Sequence, residues 1–80
     1  MKIWLLTQTK NIGYDTFDSA VVAANTKEEA KLIHPNGGLN SSNVTVYYDW
    51  AASKYVVAEL IGTAVKGTKK GVICASFNAG

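Results

Sequence analysis

The apolar positions of this chain fall into short runs, most of them with a period of two. "KIWLLTQT" (2–9) sets Ile3, Leu5 and Thr7 on one side of an extended segment and Trp4, Leu6 and Gln8 on the other. Successive side chains of a strand point to opposite faces, so this reads as a strand with apolar groups on both faces and a covering layer on each. "SAVVAANT" (19–26) is a second strand, with Val21 and Ala23 opposite Val22 and Ala24. "VTVYYDW" (44–50) alternates as a third, and "KYVVAELIGTA" (54–64) is the longest, with Gly62 marking a bulge or a close backbone approach. The closing "VICASF" alternates Val72, Cys74 and Ser76 with Ile73, Ala75 and Phe77.

The period changes once. In "TKEEAKLIHP", Thr26 followed by Glu29 three positions later has the spacing of a capping box, and Glu28 and Glu29 sit where the helix dipole favours negative charge. Pro35 ends this helix, and Ala30 and Ile33 form its buried stripe. A helix this short cannot stand alone and must pack on the sheet. "KNIGYDTFD" (10–18) and "NGGLNSSN" (36–43) are loops, and "VKGTKKG" (65–71) is expected to be a hairpin loop joining the last two strands. The expected architecture is a single α+β domain over residues 1–80, in the order β-β-α-β-β-β. One short helix lies on a mainly antiparallel sheet of four to five strands.

Composition narrows the classes. With 48% hydrophobic and 18% charged residues, the chain is not of the disordered type. No apolar run approaches the ~20 residues of a membrane span, and the apolar patch in "MKIWLLTQTK" is too short for a signal-peptide core, so a cytoplasmic location is expected. Cys74 is the only cysteine, which excludes an intrachain disulfide or a thiolate metal cluster. The net charge of +2 comes entirely from lysine, and the absence of arginine argues against sequence-specific DNA recognition.

Candidate chemistry is sparse, and neither a metal nor a cofactor is expected. His34 before Pro35 reads as a helix-terminal cation rather than a general base. Cys74, in mid-strand, reads as a small buried hydrophobe rather than a nucleophile. Asp15 and Asp18 lack a third carboxylate at metal-ligand spacing and read as turn formers. "KGTKKG" lacks the register of a P-loop, but Lys66, Lys69 and Lys70 could clamp an anion. Eight aromatic residues exceed what so small a core requires, and Tyr47, Tyr48, Trp50 and Tyr55 cluster around one connection. Aromatic rings beside lysines suit base stacking or the anchoring of a protein interface. The expected ligand-binding set is Tyr14, Asp18, Tyr48, Trp50, Lys66, Lys69, Lys70 and Asn78.

Taken together, "MKIWLLTQT", "GYDTFDSAVVAA", "KEEAKLIHP", "ELIGTA" and "GVICASFNAG" resemble a family of small uncharacterised proteins of bacteriophages, prophages and bacterial genomes. The resemblance implies a compact accessory protein that counters a host system and carries no assigned catalytic residues. The expectation that follows is a non-enzymatic binding protein that sequesters a small anionic ligand, such as a cyclic nucleotide immune signal. The alternative is direct inhibition of a host defence enzyme, for example of CRISPR type. Two-faced apolar strands with one helix to cover them also predict a homo-oligomer.

Overall fold

A computed structural model of the protein describes residues 1–42 and 48–79. Four strands, β1 (Lys2–Thr7), β2 (Thr16–Ala24), β3 (Val57–Thr63) and β4 (Gly71–Asn78), form one antiparallel sheet in the order β3-β1-β2-β4. A short helix, α1 (Lys27–Lys31), follows β2, and a single 3-10 turn, Ser53–Tyr55, leads into β3. This is the α+β class expected, with four strands among the described residues. The third predicted strand (44–50) falls largely on residues 43–47, outside those described, while Tyr48–Trp50 form a bend.

Alternation along the strands builds the core. In register, Trp4 lies beside Val22 and Leu60, and Leu6 beside Ala20 and Ala58. Trp4, Leu6, Ala20, Val22 and Ala24 meet Ala30 and Ile33 from the helical side, with Trp50, Val56 and Ala58 completing the cluster. Burying a side chain such as Leu6 contributes about 1.5–3 kcal/mol. The Trp4 indole N–H, which would otherwise be stranded there, donates to the Ala24 carbonyl at 3.1 Å.

Helix α1 begins as predicted. The Thr26 hydroxyl accepts from the Glu29 N–H at 3.2 Å, and Ala30 is fully buried. The helix stops at Lys31, earlier than Pro35 alone would dictate. Leu32 already closes with bonds to Glu29 and Ala30, and Ile33 pairs with Leu39 in an isolated bridge. Pro35 keeps the residue before it out of the helical region, so the chain has left the helix by His34. Gly62 sits beside a register shift opposite Ile3 and Trp4, the bulge anticipated there, with Ile61 as the extra residue.

The predicted hairpin between the last two strands is wrong. β3 and β4 occupy opposite edges of the sheet, and the 65–71 segment crosses the end of the sheet, past the start of β1 and the finish of β2. Ala64 N–H donates to the Met1 carbonyl at 2.9 Å on the way. β4 joins β2 because its own alternation matches the outer flank of that strand: Val72 lies beside Val22, and Phe77 beside Phe17. The Phe17 and Phe77 rings meet edge-on, 4.9 Å between centroids.

Helix α1 packs on one face of the sheet only. Ile3, Leu5 and Thr7 of β1 pair with Ala23, Val21 and Ser19 of β2 on the face turned away from α1. No second helix or sheet among the described residues lies over that face, although Ala23 on it is fully buried and Ile3, Leu5 and Val21 are half-buried.

Candidate functional site

The loop between β1 and β2 is shaped by side chains that bond to backbone. Gln8 is buried, its amide donating to the Asn11 carbonyl at 2.7 Å while its oxygen accepts from the N–H groups of Lys10 and Asn11. Asn11 in turn donates to the Trp50 carbonyl at 3.0 Å, tying the 48–50 segment to this loop. Gly13 (φ 129°) and Asp15 (φ 61°) take left-handed conformations, and the Thr16 hydroxyl donates to the Gly13 carbonyl. Asn78, at the end of β4, donates its side-chain amide to that same carbonyl at 2.8 Å, and its own carbonyl accepts from the Asp15 N–H. Asp18 occupies the bulge of β2 and accepts from the Ser76 hydroxyl at 3.3 Å.

Tyr14, Asp18, Tyr48 and Asn78 therefore gather at one end of the sheet, joined by Asp15, Asp49 and Phe77. Tyr14 is 78% exposed and Tyr48 96% exposed. Tyr48 is brought there by its neighbour Asp49, whose carbonyl accepts from the Phe17 N–H at 2.8 Å.

The other half of the expected ligand set lies elsewhere. Trp50 is fully buried in the core cluster, so its ring cannot stack on a ligand. Lys66, Lys69 and Lys70 are exposed at the opposite end, because β4 runs from Gly71 beside Ala23 to Asn78 beside Thr16. Seven residues of strand separate the two ends by about 23 Å. Lys70 is drawn to Glu29 of α1, Nζ to Oε1 3.5 Å. No small ligand in one chain touches both the lysines and Tyr14 or Asn78.

His34 also departs from expectation. It lies just past the helix end as expected, but it is buried, 2% exposed. Its Nδ1 accepts from the Asn36 N–H at 3.0 Å, its Nε2 lies 3.2 Å from Asp49 Oδ1, and its ring meets Phe17 edge-on. Both ring nitrogens are engaged and the ring is sealed from solvent, so the imidazole fastens the helix exit to the 48–50 segment. Cys74 is exposed, not buried, because β4 is an edge strand. It pairs with Val21 on the uncovered face, whereas His34 packs on the covered face, so the sheet itself separates thiol and imidazole. The described residues contain no group of three or more His, Cys, Asp or Glu side chains that could hold a metal. No helix among them is long and apolar enough to cross a membrane.

Sequence reasoning missed three residues that hold this end together: Gln8, Asn11 and Asn40. Asn40 is buried and donates to the Ala51 carbonyl at 2.9 Å, while its oxygen accepts from the Ser41 N–H. The only available signal was an amide residue at each edge of a turn, where such side chains satisfy local backbone groups. No family model, curated protein or solved structure matches the chain, so the reading of its site rests on its own residues.

Proposed function

We propose that the protein is a non-enzymatic binding protein of phage type that acts by direct contact with a host protein. The observation that carries this reading is the pair of exposed tyrosines, Tyr14 and Tyr48, set at one end of the sheet among Asp15, Asp18 and Asp49. Exposed aromatic side chains supply large contact area with little entropy to lose. The carboxylates around them favour a partner surface rich in lysine or arginine, such as one that handles nucleic acid. Lys10, the one lysine of the adjoining loop, leans over the Tyr55 ring at 5.0 Å and leaves that balance acidic. Sequestration of an anionic ligand within one chain loses its support, because the lysines stand at the far end from these rings.

The test is retention of host proteins on the immobilised full chain, compared with a Tyr14→Ala/Tyr48→Ala double variant. The expected result is a retained host protein that is released as salt rises and is absent with the double variant. Equal retention by both forms overturns the reading. So does heat of binding to a cyclic dinucleotide in calorimetry that the double variant preserves.

A further inference from the structure

We propose that the uncovered sheet face closes on the same face of a second copy of this chain, forming a two-layer sandwich. The face has an apolar centre and polar edges. Ile3 and Leu5 of β1 and Val21 of β2, all half-buried, make up its middle beside the fully buried Ala23, while Glu59 lies on the β3 edge and Cys74 on the β4 edge. Exposed residues add to it: Val57 beside Thr7 on β3 is 61% exposed. A soluble chain that leaves an apolar layer of this kind open marks an interaction site.

Three arguments choose a second copy. A flat sheet face fits another sheet face, about 10 Å apart with strands roughly 30° from aligned, better than it fits a convex surface. Four strands at about 4.8 Å spacing and six residues at about 3.3 Å give roughly 400 Å² of flat footprint per copy. Two footprints total about 800 Å² before side-chain relief is counted, short of the ~1,000 Å² that a stable interface clears and in the range of a weak one. The third argument is the placement of charge. In the order β3-β1-β2-β4, a two-fold axis parallel to the strands lays β1 and β2 of one copy over β2 and β1 of the other. Apolar centre then meets apolar centre. Each Glu59 lies over the partner's β4 edge, beside hydroxyl and thiol groups, and the two glutamates stay about 14 Å apart, three strand spacings. A two-fold axis across the strands would instead bring Glu59 against Glu59, which like charges disfavour.

An interface of this area associates weakly, so the dimer should grow in with concentration. Light scattering and sedimentation of the full chain from low micromolar to millimolar concentration should show the mass rising from one chain to two and stopping there. Maleimide labelling of Cys74 should slow over the same range as the β4 edge is covered. Leu5→Lys, on the uncovered face and remote from Tyr14 and Tyr48, should remain a folded monomer with fast labelling. If that variant fails to fold, the wild-type labelling series alone decides. A wild-type mass that stays at one chain at millimolar concentration, Cys74 labelling independent of concentration, a mass above two chains, or an undiminished dimer in folded Leu5→Lys each overturns the proposal. So does binding of an apolar dye that persists undiminished at the highest concentration, which would make the face a docking site for a different protein.

Discussion

Replacing Trp50 with alanine separates a core role from a ligand-stacking role. Its side chain is fully buried among Trp4, Leu6, Ala30 and Val56. A buried tryptophan removes about 150–250 Å² from water, worth roughly 4–6 kcal/mol at about 25 cal/mol per Å². Alanine keeps part of that area but leaves a cavity, and measured Trp→Ala losses run about 3–5 kcal/mol. A domain of this length has about 4–12 kcal/mol of stability in total, so the loss ranges from about a quarter of that to all of it. Where a transition survives, its midpoint should fall by more than about 12 °C. Trp50→Phe makes the companion measurement. The Trp50 indole N–H is buried with no acceptor among the described residues, and a stranded donor costs about 1–3 kcal/mol. Phenylalanine gives up ring volume but also that donor, so its loss should be well under half that of alanine. Urea denaturation followed by circular dichroism, at matched protein concentration, gives both numbers. An alanine variant within about 0.5 kcal/mol of wild type would refute the reasoning and return the ring to the surface.

Two further substitutions probe the polar staples. Asn40→Ala removes the amide that bonds the Ala51 carbonyl and the Ser41 N–H, and should cost about 1–3 kcal/mol in the same urea assay; Asn40→Asp should recover only the Ser41 bond. Thr26→Ala removes the cap on the Glu29 N–H and should lower stability by about 1 kcal/mol, with Thr26→Ser restoring most of it.

Local physics was legible in the sequence and long-range pairing was not. The Thr26 cap, the burial of Ala30 and Ile33, the bulge at Gly62 and the two-faced character of β1 all follow from neighbours a few residues apart, and each was readable. The partner of β4 was not. Periodicity says that 71–78 is a strand but not which edge it joins, and a seven-residue loop made the nearest strand look the natural choice. The choice is made by Phe17 and Val22, far away in sequence, which offer matching apolar neighbours to Phe77 and Val72. The same blindness explains the site. His34 read simply as a helix-terminal group because nothing within a helical turn reveals Asp49, and Cys74 looked buried because an edge strand and a central strand share one pattern. Trp50 and the lysines were grouped by sequence flavour, whereas the fold sends the indole inside and the lysines to the opposite end.

The placement of β3 and β4 on opposite edges has a kinetic consequence. β1 and β2 can meet as soon as both exist, but a two-stranded hairpin is at best marginally stable in water. Each needs a strand from the second half of the chain: Lys2 meets Thr63, and Thr16 meets Asn78. Two long loops must close before either contact returns any free energy, which places folding in the slow, milliseconds-to-seconds range of sheet proteins. Until then the nascent hairpin shows two raw edges at once, each a template on which a strand of another chain can pair.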